Sequence, residues 1–322
     1  MYSYIIRRIL LVIPLLLAIS LISFMVMQLA PGDFLDTMRL NPRISQEYIE
    51  QLENNFGLNK SVPEQYLHWL WRALHLDFGR SFRFNVPVTH LIQTRLFNTF
   101  ILSLSSMFIG WIFAIPIGIY AATHKYKLSD NLLTVFTFIG LSIPNFFLAL
   151  LLQFFIVRMG ISHPITGMTS MDFEWLSRGG QIIDIAKHLL LPAIVLGTAQ
   201  MAGLMRQMRG QMLNAMQEDY VRTARAKGVK EKFVILKHAL RNAVNPIITI
   251  FGFQLSFLLS GAAITETVFG WPGMGRMMLE AVLNKDYYLA MAGLLMASFL
   301  LVIGNLIADI LLAVVDPRIK YS

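Results

Sequence analysis

The residues from Glu218 to Arg241, reading EDYVRTARAKGVKEKFVILKHALR, set acidic, basic and small side chains between two apolar stretches. Their chemistry is recognition rather than bond making. From Gln211 to Lys227 the pattern predicts one helix, with Met212, Met216, Tyr220 and Ala224 recurring at i, i+4 as one face and Arg222, Arg225 and Lys227 mostly away from it. Gly228 then supplies a left-handed stop and Val229 begins the return. A second helix is expected over 231–243, ahead of Pro246. Alanine at 224 and 226 lets a partner groove approach closely, so Glu218, Asp219, Tyr220, Arg222, Thr223, Ala224, Ala226, Lys227 and Gly228 are candidate docking residues. The same composition also suits an amphipathic helix lying on anionic lipid.

Bond-making chemistry has no comparable support. There is no Gly-Lys dipeptide and hence no phosphate-binding P-loop, and neither His-Glu-x-x-His nor Gly-x-Ser-x-Gly occurs. The seven histidines are scattered and cysteine is absent, so no catalytic residue, resident metal or cofactor is expected. One ionisable residue stands out. Glu266 falls near the end of an otherwise apolar stretch, where a carboxylate is costly unless it is paired or faces water, so it reads either as a cavity residue or as a structural cap or salt bridge. Trp271-Pro272-Gly273, with Gly275, forms an ordered turn beyond it, read either as an outer gate or receptor contact or as an interfacial anchor. Asp309, in the last apolar stretch, is placed at the inner interface. Pro116 and Pro144 remove backbone hydrogen bonds inside apolar stretches, and the freed carbonyls must be met by neighbouring helices, by hydroxyls such as Ser142, or by water. Such kinks either shape a translocation cavity or adapt packing.

The elements that carry these residues follow from composition. Of 322 residues 56% are hydrophobic and only 14% charged, with a mean hydropathy of +0.58, which describes an all-α integral membrane protein. Six spans of suitable length are expected, near 9–29, 97–121, 132–157, 189–209, 245–268 and 289–315. The first follows Arg7-Arg8, is long for a secretory signal, and has Pro31 after Ala30, which would obstruct cleavage; it reads as a retained helix. With the N-terminus inside, the inner segments hold 15 Lys+Arg and 6 Asp+Glu, a net +9, whereas the outer ones hold 12 and 13, a net −1. Both termini are therefore expected in the cytoplasm. The basic excess is that of a multispanning protein and does not imply nucleic acid.

Residues 30–96 form an extracytoplasmic insert, expected to pack as a capping subdomain. Ser45 to Phe56 reads as a helix closed by Gly57, and Pro63 suits the first turn of another in which Tyr66, Leu67, Leu70, Trp71 and Leu74 recur at helical spacing. The chain thus divides into 1–96, the first span plus insert, and 97–322, a transmembrane domain with a cytoplasmic loop at about 206–244. No internal repeat or low-complexity tract is evident, which weighs against an inverted-repeat transporter.

The run Tyr220-Val221-Arg222-Thr223-Ala224-Arg225-Ala226-Lys227-Gly228 resembles the EAA loop of binding-protein-dependent ABC importer permeases, in the form found in the dipeptide, oligopeptide and nickel branch. Of the general Glu-Ala-Ala-x-x-x-Gly pattern only Ala224 and Gly228 are kept; Arg222-Thr223 is usual in the peptide branch. Ala30-Pro31-Gly32-Asp33, Leu76-Asp77-Phe78-Gly79-Arg80-Ser81, His238-Ala239-Leu240-Arg241-Asn242, Trp271-Pro272-Gly273-Met274-Gly275-Arg276, Asp286-Tyr287-Tyr288 and Asp316-Pro317-Arg318-Ile319 follow the same branch, with Phe34 where a proline is usual. The resemblance spans essentially the whole chain. It implies a type I ABC importer permease with a MetI-like core, in a bacterial inner membrane. It also implies a second permease subunit as heterodimer partner, two ABC ATPase subunits that bind ATP and Mg, and an extracytoplasmic substrate-binding protein. Short peptides are the implied substrate, with nickel or a nickel chelate as the alternative; without thiols or clustered imidazoles the chain is poorly furnished for a borderline-soft metal. Two competing classes need more than the sequence offers. An ion-coupled transporter needs several buried charges, and a membrane-embedded enzyme needs a convergent ionisable set that Glu266 alone does not supply.

Overall fold

The computed structural model describes residues 2–29, 32, 34–39, 44–257 and 262–315. In chain order the helices are α1 (Tyr2–Leu29), α2 (Asp36–Arg39), α3 (Gln46–Phe56), α4 (Val62–Leu74), α5 (Val88–Thr123), α6 (Leu128–Ser142), α7 (Asn145–Arg158) and α8 (Arg178–Gln217). There follow α9 (Asp219–Ala226), α10 (Glu231–Phe233), α11 (Leu240–Ala243), α12 (Asn245–Phe257), α13 (Ala263–Val268), α14 (Met274–Leu283) and α15 (Tyr287–Val315). Among the described residues there is no strand beyond one isolated bridge between Arg80 and Pro87.

The central pair is α5 and α8. Leu102 shares a buried cluster with Ala193 and Leu196, Gly110 abuts Gly197, and Gly118 abuts Met205 and Met208. Residue numbers rise together along the contact, so the two helices run parallel. A Cβ on Gly197 would stand 2.9 Å from the Ser106 carbonyl oxygen, and one on Gly118 2.9 Å from that of Met205. Small residues here let two backbones touch, the packing on which membrane helices rely when lipid removes the hydrophobic drive between them. At about 1.5 Å per residue α5 and α8 are about 54 and 60 Å long, well beyond the ~30 Å of hydrocarbon, so their ends project into the flanking layers. Around this pair α6 and α7 lie on α8, α14 lies on α5, and α12 and α1 pack on α15.

One of the expected spans differs in form. Among the described residues, four helices are individually long and apolar enough to cross a membrane, within α1, α5, α8 and α15, and a fifth crossing arises if α6 and α7 are taken together across a 99° bend. The predicted helix over 132–157 therefore breaks at Pro144, which caps α7 with φ −59° and ψ 139°. Proline offers no N–H and forces Ile143 into an extended conformation, so the ladder stops; Ser142 Oγ donates to the Phe138 carbonyl oxygen at 2.8 Å. At Pro116, by contrast, α5 continues. The predicted span 245–268 consists, among the described residues, of α12 and the short α13; 258–261 lie outside them. Average hydropathy cannot register the break at Pro144, because both sides of it are apolar.

The segment between α1 and α5 packs on α1, by a different face of α4 from the one the spacing suggested. Gly57 closes α3 at φ 67°, and the Ser45 hydroxyl accepts the Tyr48 N–H. On α4, Tyr66 and Leu70 face inward with Trp69, whereas Leu67, Trp71 and Leu74 are exposed. The apolar stripe is wider than the seam, and only the side centred on Trp69 meets Phe24 and Met27 of α1. Tyr66 Oη lies 2.9 Å from Ser20 Oγ, and Gln28 Nε2 donates to Gln65 Oε1 at 3.0 Å. Two motifs far apart in sequence meet here: Ser81 Oγ and the Arg83 N–H both donate to the buried Asp286 carboxylate. Of Ala30-Pro31-Gly32-Asp33 all but Gly32 lies outside the described residues, as does all of Asp316-Pro317-Arg318-Ile319.

Candidate functional site

The loop after α8 is built by one residue that changes direction and one that stops a helix. Glu218 is extended, with φ −68° and ψ 149°, so α8 ends at Gln217 and α9 starts at Asp219, whose carboxylate sits in the first turn where the helix dipole favours negative charge. This divides the helix expected over 211–227. Met212 remains buried at the end of α8, but the phase resets across Glu218: Val221 and Ala224 face inward, and Tyr220 is 37% exposed. Met212, Ala215, Val221, Ala224, Val234 and Ala239 belong to one buried cluster, so Ala224 is small because it meets its own protein. On the opposite side of α9 the spacing aligns Asp219, Arg222, Thr223 and Ala226, all exposed, with Lys227 and Gly228 beside them.

Gly228 has φ +73°, as its place after a helix predicted. Its N–H donates to the Arg225 carbonyl at 2.9 Å, and that of Val229 to the Ala224 carbonyl at 3.2 Å, satisfying carbonyls the helix end would leave open. Arg225 then grips Glu231 across the turn, Nη2 to Oε1 at 2.7 Å and Nε to Oε2 at 3.2 Å. This hydrogen bonding holds the Glu231 carboxyl below the ordinary glutamate range. The expected helix over 231–243 forms, and its middle, Val234–Ala239, has π geometry, a widened turn common at functional sites.

Sequence reasoning missed the tie that fastens this end of α8. Arg209 Nε and Nη2 donate to Asp130 Oδ1 and Oδ2 at 2.8 and 2.7 Å, and the Tyr126 N–H reaches Oδ2 at 3.1 Å. Opposite charges 79 positions apart carry no spacing signal, so only the fold could pair them.

At the other end of the molecule, Glu266 is fully buried in α13 and both its carboxylate oxygens are met by donors. Thr99 Oγ1 donates to Oε1 at 2.9 Å, and the Arg276 N–H donates to Oε2 at 2.8 Å. Thr99 Oγ1 in turn accepts the Met274 N–H at 2.7 Å. A Cβ on Gly273 would lie 2.3 Å from the Glu266 carboxylate, so this glycine is the space the carboxylate occupies. Trp271 is buried, its Nε1 donating to the Asn98 carbonyl at 3.1 Å, while Asn98 Nδ2 donates to the Pro272 carbonyl at 2.9 Å. Of the two readings left open for Glu266, this geometry is that of a cap binding the 271–276 turn to α5. Pro144 lies apart from these groups, beside an open cleft of about 340 Å³ lined by Asn145, Phe146, Leu196, Ala263 and Thr265. No group of three or more potential metal ligands gathers among the described residues. Asp309, half-buried in α15, belongs to neither assembly.

Comparison with known proteins identifies what a loop of this kind, set between membrane helices, belongs to. The family model described as "Binding-protein-dependent transport system inner membrane component" matches residues 114–321. The chain belongs to this family. Its companion N-terminal model matches residues 1–105, which contain α1 and the insert. Among curated relatives, an oligopeptide transport system permease protein of Bacillus subtilis is 44% identical over 323 residues, and a dipeptide transport system permease protein of Escherichia coli K12 is 36% identical over 338, both covered in full on both sides. A glutathione transport system permease protein of Pectobacterium atrosepticum is 37% identical, again over both full lengths. Among solved structures, a chain of the MetNI methionine ABC transporter in an inward-facing conformation aligns with TM-score 0.54 at 16% identity, over 70% of this chain and 96% of that one. The fold is that of a type I ABC importer permease. As a member of the family, the protein is a multi-pass inner-membrane transport component, and an ATPase and a substrate-binding protein are its implied partners.

Proposed function

We propose that this chain is one of two permease subunits of an ATP-driven importer of short peptides, pairing with a second, different permease and with two ATPase subunits. The observation that carries the substrate class is end-to-end identity of 36–44% with relatives named for oligopeptide and dipeptide transport. The exposed Asp219, Arg222, Thr223 and Ala226 face of α9 meets the ATPase, which supplies all ATP and Mg chemistry. Because α9 is fastened to the end of α8 and α8 packs along α5, a push on α9 is delivered to the central helix pair. The cleft beside Pro144 and α13 lines part of the translocation path, while the Glu266 cap keeps the 271–276 turn in place as its outer rim.

Deleting the gene is expected to confer resistance to toxic di- and oligopeptides and to stop growth on peptides as sole source of a required amino acid. Unchanged peptide uptake with loss of a nickel-dependent activity would replace the substrate and leave the permease assignment in place.

Orientation rests on the +9 against −1 charge split. Since the chain has no cysteine, single substitutions report cleanly. Lys60→Cys, exposed in the insert, is expected to react with an impermeant thiol reagent in intact cells, and Lys230→Cys only after permeabilisation. Labelling of position 230 from outside would reverse the topology.

A further inference from the structure

Next to the Glu266 cap, the start of α14 and the outer part of α5 enclose a cleft of about 260 Å³ into which Arg83, Arg95 and Arg276 converge with Glu280, against Phe84 and Gly273. The charges there are unbalanced. Glu280 serves two of the arginines, meeting Arg276 Nε at 2.9 Å and Arg83 Nη1 at 3.9 Å. Half-buried Arg95 makes no hydrogen bond or ion pair among the described residues, although Arg276 and Glu280 lie within electrostatic reach of it. Glu266 adds its charge from a distance, but its oxygens are occupied by Thr99 and the Arg276 backbone, so the three arginines face two carboxylates and the group stays net positive. Holding three guanidiniums around one accessible carboxylate in a partly desolvated cleft costs energy that a second anion would recover. Guanidinium forks match planar, two-oxygen acceptors, and the volume falls below the ~300 Å³ at which drug-sized pockets begin, so the cleft suits one small carboxylate-bearing group.

We propose that Arg83, Arg95 and Arg276 form a carboxylate-binding site at the outer mouth of the permease. On the peptide-import reading, on which this part of the inference rests, the group it takes is the C-terminal carboxylate of the arriving substrate. The site would then hold the one feature common to all short peptides and leave their side chains unread.

The test uses the assembled transporter in nanodiscs at low ionic strength, where surface attraction is least screened. Saturation-transfer NMR compares N-acetylalaninate with neutral N-acetylalaninamide, and uptake compares a dipeptide with its C-terminal amide. In the wild type the carboxylate is expected to bind tenfold or more above the amide, and Arg95→Gln to remove the difference, as loss of a charge-assisted hydrogen bond predicts. Arg95→Lys, which keeps the charge without the fork, is expected to fall between, and an unchanged thermal unfolding midpoint of the Arg95→Gln complex controls for misfolding. Equal binding of acid and amide in the wild type, or no effect of Arg95→Gln, would overturn the site even if dipeptides are imported. Carboxylate binding that depends on Arg95 without any dipeptide uptake would keep the site and discard the peptide reading. Loss of binding-protein docking in Arg95→Gln, with no binding of N-acetylalaninate, would assign the cleft to a partner's acidic side chain and refute a substrate site.

Discussion

Ala224→Asp is expected to reach the membrane and to import nothing. Ala224 is 6% exposed, in a cluster with Met212, Ala215, Val221, Val234 and Ala239, and a carboxylate placed there would be buried without a partner. That costs several kcal/mol, more than the eight residues of α9 recover from their own contacts, so the helix leaves its seat. The damage stays local, because the α5–α8 interface does not involve this residue. Ala226→Asp separates seating from docking. Ala226 is exposed, so this substitution leaves α9 in place and changes only the face offered to the ATPase. Co-purification of the ATPase is expected to fall about tenfold or more with Ala226→Asp, at unchanged thermal stability of the permease, as a charge opposed to a packed interface implies. Gly228→Pro removes both the left-handed turn and the N–H that reaches Arg225, and is expected to behave like Ala224→Asp. If Ala226→Asp binds ATPase and transports at wild-type rates, the outer face of α9 is not the contact.

The difference between these two alanines also marks how far the sequence could be read. Helix content, the left-handed Gly228 and the closing Gly57 were all legible, since each depends on local backbone preference or on a long apolar average. The seating of α9 was not. A continuous i, i+4 pattern from Met212 to Ala224 is what one helix would show, and nothing in Gln217-Glu218-Asp219 outweighs it until α9 is seen packed through Val221 on the π-helical segment Val234–Ala239 and the end of α8. The fold won over local periodicity because Val221, placed inward, fills the cluster that Tyr220 would overfill. On α4 the same limit appears as a stripe whose exposed half, Leu67, Trp71 and Leu74, is as apolar as its buried half. At Glu266 the sequence posed the right question, because a carboxylate at that depth must be paid for. The answer depended on Thr99, 167 positions away, and on a backbone N–H that has no letter of its own.

Asp130→Asn is expected to be the most damaging neutral-sized change outside the loop. The Asp130 carboxylate is 2% exposed and takes three donors, two from the Arg209 guanidinium and one from the Tyr126 N–H. An amide in its place keeps one acceptor and turns an NH₂ toward a guanidinium, leaving Arg209 charged and half-covered with nothing to balance it. Removing one member of a buried pair costs about 3–5 kcal/mol, and since Arg209 retains 26% exposure the lower end of that range applies. Arg209 stands two turns before α8 ends, so the loss also loosens the platform on which α9 rests, and transport is expected to fall with stability. Combining Asp130→Leu with Arg209→Met should recover much of what Asp130→Asn loses, because two apolar side chains leave no stranded charge. Reversible unfolding of the three forms in mixed micelles measures this. A loss below about 0.5 kcal/mol in Asp130→Asn, the range of ordinary surface substitutions, would show that water reaches the pair and that the tie does not hold α8 to α6.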